Sequence, residues 1–228
     1  MMQRRLEHIP LADGSELRLT VSAPESAVRG GIVVVPEAYG VTDAVRQLAA
    51  GLAGEGWLAV IPHLYHRGGV DELPPDSAPE QVHCQVKQLS AESVGADTDA
   101  SLRWLAQRGV PADRIGVVGF GLGGAVALIV AAQRDLGAAV TVDGIGVVQP
   151  VVPTLPALVG AAPELRCPWL GIYGPGSQVP DSEVHKLRDA AHSARVATDL
   201  VHYCLDTDQS TAEETWARTL NWFDCHLR

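Results

Sequence analysis

The sequence predicts an α/β fold: a mostly parallel central sheet with helices on both faces and an N-terminal β-hairpin. Three observations carry this. Short, continuously apolar runs such as GIVVVP (31–36), WLAVIP (57–62) and IGVVGF (115–120) recur along the chain, and strands apolar on both sides belong to parallel sheets covered on both faces. Helical stretches separate these runs, as crossovers between parallel strands require. The opening RRLEHIPLADGSELRLTVSAP holds two strand-like segments around Asp13-Gly14, a strong hairpin signal.

The elements follow in order. After 31–36 comes a helix over about 43–54, with Thr42 and Asp43 as candidate N-caps. A polar, proline-rich stretch follows the strand at 57–62. ESVGADTDASLRWLAQRG (92–109) reads as a helix ending at Gly109, and 115–120 as a strand that leads into a Gly/Ala-rich helix from 122 to about 134. AAVTVDG (138–144), PWLGIYG (168–174) and TDLVHYC (198–204) supply three more strands, separated by a Pro-rich loop and the helix DSEVHKLRDAAHSA. The last helix runs from about Thr211 to the end.

Composition narrows the function. The 228 residues, 46% hydrophobic, suit one domain with a substantial core. No apolar run approaches the roughly 18 residues of a membrane span, and the start has no apolar segment after its basic residues, which implies a soluble, cytoplasmic protein. A net charge of −10 argues against nucleic acid and anionic membranes as partners. The four cysteines (Cys84, Cys167, Cys204, Cys225) form no C-x-x-C pair, so reduced and mostly buried thiols are expected. His63, His66 and His83 match no metal-ligand spacing, and no metal or cofactor is expected.

The segment GFGLGG (119–124) carries the functional question. As G-x-G-x-x-G, through Gly119, Gly121 and Gly124, it fits a dinucleotide fingerprint, with Asp143 as the acidic residue for a ribose. As a strand-to-helix turn of the G-x-[SC]-x-G kind, it places Gly121 where a nucleophile stands in such turns.

The order of the surrounding segments resembles the dienelactone hydrolase family of α/β-hydrolases over nearly the whole chain. VVVPEAYG (33–40), AVIPHLYHR (59–67), VVGFGLGG (117–124), PWLGIYGPGSQVP (168–180) and ARTLNWFDCHLR (217–228) are each similar to a family segment, in family order. The resemblance implies an α/β-hydrolase fold and acyl transfer by a Cys or Ser nucleophile, a His base and an Asp orienter. It places Gly121 at the nucleophile, Ser177 or Gly176 at the acid depending on how the shortened loop is counted, and Asp208 at the base. None has the required chemistry. The family's Asp in the 59–67 segment is His63 here, the loop after the base position is shortened, and a positively charged ligand contact expected there is missing.

The resemblance also implies a ligand pocket of Glu37, Ala38, Tyr39, Tyr65, Arg67, Phe120, Gly121 and Leu122. Glu37 matches the glutamate that holds the resting nucleophile, and Arg67 the arginine that binds a ligand carboxylate. Tyr65, His66 and Arg67 follow a strand, where open α/β sheets bind ligands. Glycine at 121 is expected to relax the strained turn and keep the fold, leaving the N–H groups of Leu122 and Ala38 to hold a ligand oxygen. Asp206 and Asp208 read as a polar turn, His202 as structural, and Ser177 as a hydroxyl without an identifiable base.

These readings favour a non-hydrolytic protein binding an oxygenated small molecule, an anionic one included. Behind it stand a divergent enzyme using Glu37 for proton transfer, a conventional ester or lactone hydrolase, and an NAD-binding protein.

Overall fold

A computed structural model describes residues 3–203 and 208–227. The chain runs β1 (Gln3–Pro10), β2 (Glu16–Ala23), β3 (Gly30–Val35), α1 (Asp43–Gly54), β4 (Trp57–Pro62), α2 (Pro79–Val86), α3 (Ala91–Ala106), β5 (Ile115–Phe120), α4 (Leu122–Gln133), β6 (Ala138–Val142), α5 (Leu158–Ala161), β7 (Trp169–Tyr173), α6 (Asp181–Ala191), β8 (Thr198–His202) and α7 (Asp208–His226). The strands form a sheet in the order β1-β2-β4-β3-β5-β6-β7-β8. β1 and β2 make the expected hairpin, β2 pairs antiparallel with β4, and every later pairing is parallel.

Alternating residues of each strand feed two cores. Val33, Val35 and Val117 pack with α3, α4 and α6, while Ile32, Val34 and Val118 pack with α1 and α7. β3 and β5 are buried on both faces, which explains why they read as unbroken apolar runs rather than alternating ones. On the second face, α7 drives the fully buried Phe223 edge-on against Trp57 of β4. α1 begins as its sequence predicts: the Thr42 side chain accepts from the Val45 N–H.

Side-chain hydrogen bonds tie β6 and β7 to their surroundings. Trp169 Nε1 donates to Thr141 Oγ1, and Thr141 Oγ1 donates to the Gly124 carbonyl, each at 3.0 Å, tying β7, β6 and α4 together. The buried Tyr173 hydroxyl donates to the Gly144 carbonyl at 3.0 Å.

Two features depart from the sequence reading. The proline-rich stretch after β4 contains α2, an eight-residue helix with Pro79 at its start, where a missing N–H does no harm. The cysteines are not mostly buried: Cys167 is, and burial pushes its thiol up to about 12, but Cys84 and Cys225 are exposed on helix surfaces. Cys204 lies outside the described residues. Among the described residues no helix is long and apolar enough to cross a membrane.

Candidate functional site

The sheet grows in one direction from β3 to β4 and in the other from β3 to β5, so the chain leaves the adjacent C-terminal ends of β3 and β5 toward opposite sides. Such a switch point opens a crevice in α/β sheets. Here it holds a cleft of about 650 Å³. Glu37, Ala38 and Tyr39 enter it after β3, Phe120 at the end of β5 with Gly121 and Leu122 after it, Asp143 and Ile145 after β6, and Gly176 and Ser177 after β7. Pro79, Val82, His83 and Val86 of α2 form one wall.

The β5–α4 turn is built by close backbone approach. A Cβ at Gly119 would stand 2.1 Å from the Gly123 carbonyl oxygen, and one at Gly123 would stand 2.3 Å from that of Val35. Glycine at these positions is therefore a packing requirement. Gly121 differs: a Cβ there would meet nothing within 4 Å. What it supplies is conformation, φ 53° and ψ −113°, a region that L side chains enter only with strain. At glycine this conformation carries no such strain. The Gly121 N–H donates to the Val142 carbonyl at 3.0 Å, and the Ala125 and Ile145 N–H groups donate to the Gly121 carbonyl, holding the turn to the end of β6. This packing accounts for Gly119 without a nucleotide.

Leu122 begins α4, and its N–H has no acceptor among the described residues; the same is true of Ala38 N–H. Tyr65 stands behind Ala38, donating its hydroxyl to the Ala38 carbonyl at 2.8 Å. The segment carrying Tyr39 and Gly40 is laced to residues 71–73: Val41 N–H donates to the Asp71 carbonyl and Leu73 N–H to that of Tyr39, at 2.9 and 2.8 Å. Asp71 is in turn bound by Arg18 and His63, and His63 reaches Thr20 at 2.8 Å. His63 is thus structural support for the cleft rim, and burial lowers its pKa in spite of Asp71.

Glu37 is half-buried in the cleft, and its carboxylate has no hydrogen-bond partner among the described residues. Burial raises its pKa above the ordinary value. Asp143, a non-glycine residue at φ 48°, accepts the Gly174 N–H on Oδ1 at 2.9 Å and lines the cleft. The sequence offered Asp143 only as a ribose ligand. Its position one residue past β6 was the signal that it belongs to the cleft.

Two expected pocket residues do not line the cleft. Tyr65 is buried beneath it. Arg67 lies in a 3₁₀ turn (His66–Gly68) and is drawn away by Asp97, whose fully buried carboxylate receives it at 2.9 and 3.0 Å; Asp13 accepts its Nε at 3.0 Å. A buried carboxylate without a cationic partner is strongly disfavoured, so Asp97 holds the guanidinium. His66 joins the same group, 3.1 Å from Asp97.

Ser177 reaches the cleft, where its Oγ accepts the Val179 N–H at 3.3 Å. Gly176 lies beside it. Asp208 is the first residue of α7, but its side chain lies outside the described residues, as does Asp206 entirely. His202 lies 3.3 Å from Asp181, away from the cleft lining. Among the described residues no cluster of His, Cys, Asp and Glu could hold a metal ion.

The chain is similar to known proteins over nearly its whole length. The sequence profile of the dienelactone hydrolase family matches residues 17–227. A protein of Salmonella typhi provisionally named carboxymethylenebutenolidase is 32% identical over 209 residues, spanning 84% of this chain and 76% of that one. A protein of Yersinia pestis with the same provisional name is 28% identical across 94% of this chain and 86% of its own. The crystal structure of a provisionally named dienelactone hydrolase from Klebsiella pneumoniae subsp. pneumoniae superposes with a TM-score of 0.86 at 28% identity, covering 98% of this chain and 99% of that one.

Proposed function

The chain belongs to the dienelactone hydrolase family, and from that premise we propose that it binds a small oxygenated molecule in the cleft at Gly121 without forming an acyl-enzyme. The observation that carries this reading is the β5–α4 turn. It keeps a conformation that projects residue 121 into open space, and the residue projected has no attacking atom. The remaining groups suit binding. A carbonyl oxygen can accept from Leu122 N–H and Ala38 N–H, while Phe120, Val82 and Ile145 cover the apolar part of a ligand. Gly176 and Ser177, at the position of the acid, bring no carboxylate into the cleft.

A second reading has its own support. The Glu37 carboxylate, which has no hydrogen-bond partner among the described residues and a pKa raised by burial, is suited to taking or giving a proton on a ligand whose oxygen is held by the two N–H groups. On this reading the protein is a divergent enzyme acting on a lactone, ester or enol.

One experiment separates the two. The native protein is incubated with p-nitrophenyl esters and with a dienelactone, alongside Gly121→Cys and Gly121→Ser. The binding reading expects no turnover above buffer, with saturable quenching of tryptophan fluorescence by the unreacted lactone. Turnover by the native protein that Glu37→Gln abolishes would establish the enzyme instead; turnover abolished by Ser177→Ala would point to that hydroxyl.

A further inference from the structure

Among the described residues, the Asp, Glu, Lys and Arg side chains that line the cleft are all acidic. Glu37 and Asp143 line it, and no Lys or Arg does among the described residues. Arg67, the cation that the resemblance assigns to a ligand carboxylate, is held by Asp97 and Asp13. Arg18 and Arg46, which brace the rim from outside, are paired with Asp71 and with Asp43 and Glu72. His83 is the one lining side chain able to carry positive charge among the described residues.

We propose that the cleft selects an uncharged carbonyl compound, an ester, lactone or ketone without a free carboxylate, and rejects the carboxylate-bearing analogue. This rests on the reading that the cleft binds a small oxygenated ligand, and names the class it takes. A neutral carbonyl oxygen makes the same bonds to Leu122 N–H and Ala38 N–H as a charged ligand would, and its apolar remainder meets Val82, Phe120 and Ile145. A ligand carboxylate would leave water for a site lined by two carboxylates and, among the described residues, no guanidinium, where repulsion is weakly screened. The disadvantage amounts to about tenfold or more in affinity.

The probes are a dienelactone carrying its free carboxylate and the methyl ester of the same compound, identical in skeleton and different in charge. Each is titrated into the native protein at about pH 8, above the range in which histidine ordinarily carries charge, with tryptophan fluorescence and thermal shift as readouts. Val82→Trp, which fills the cleft from α2, identifies the site. The expected result is that the methyl ester binds about tenfold or more tightly than the acid, that Val82→Trp abolishes both, and that Glu37→Gln or Asp143→Asn narrows the gap. Equal or tighter binding of the acid, still abolished by Val82→Trp, would overturn the charge selectivity and leave the binding reading in place. A gap that neither carboxylate variant narrows would overturn its assignment to these residues. Absence of saturable binding by either probe, or binding indifferent to Val82→Trp, would overturn the binding reading and this inference with it.

Discussion

The Tyr65 hydroxyl donates to the carbonyl oxygen of Ala38 at 2.8 Å, so a buried side chain beneath the cleft fixes the backbone of a residue that lines it. Removing this hydroxyl leaves a carbonyl with one partner fewer in a partly buried place. Tyr65→Phe is expected to destabilise the protein by about 1–2 kcal/mol in urea denaturation and to weaken ligand binding several-fold. A stability loss with unchanged affinity would show that Ala38 does not contact the ligand.

Arg67 is held by Asp97 and Asp13 and does not line the cleft. Arg67→Met keeps most of the side chain's volume but leaves the buried Asp97 with His66 as its near partner. The expected cost is about 3 kcal/mol, the scale for breaking one side of a buried ion pair. Ligand affinity of the folded variant is expected to stay within about twofold of native, a range worth less than 1 kcal/mol. A large loss of affinity by calorimetry with little loss of stability would return Arg67 to the pocket.

The case of Arg67 shows where the sequence stops being informative. The strands around 31–36 and 115–120, the helix from 122 and the turn at Gly121 follow from local apolar runs and glycine spacing, which need no partner to be read. Glu37, Ala38, Tyr39 and Leu122 are drawn to one cleft because they directly flank strand ends. Asp97 looks like a solvated charge in GADTDASLRW, and only the packing of α3 against the sheet buries it beside a residue 30 positions earlier. The cleft wall from α2 was hidden for a related reason: Val82 and Val86 have helical spacing, but prolines at 74 and 75 and the surrounding polar residues mask so short an element.

The glycines of the turn make unequal demands. Gly121→Ala introduces a side chain at φ 53° into open space, so it is expected to fold with a loss of about 1–3 kcal/mol. Gly119→Ala places a Cβ against the Gly123 backbone, which has no room to yield, and is expected to cost about 3 kcal/mol or more. Thermal unfolding of the pair checks the order; equal stabilities would contradict the close approach of β5 and α4.

Burial raises the pKa of Glu37 above its ordinary value of 4.5. Below that value both folded and unfolded chains carry the neutral acid, and the group contributes no penalty. As pH rises from there through the folded-state pKa, the unfolded chain releases its proton first, so stability falls; above the folded-state pKa the whole penalty is present. Glu37→Gln is therefore expected to be more stable than the native protein at about pH 8, with the advantage vanishing below about pH 4. Parallel unfolding curves at a series of pH values test this, and an advantage independent of pH would mean that ionisation of Glu37 is not its source.

The most direct measurement is the release of p-nitrophenolate from a p-nitrophenyl ester in the first turnover, followed by stopped flow with the intact mass of the quenched chain read in parallel. A ligand-binding cleft with glycine at the turn predicts no burst and an unmodified chain. A burst of about one equivalent per chain, with the acyl mass retained on a residue of the cleft, would contradict the account.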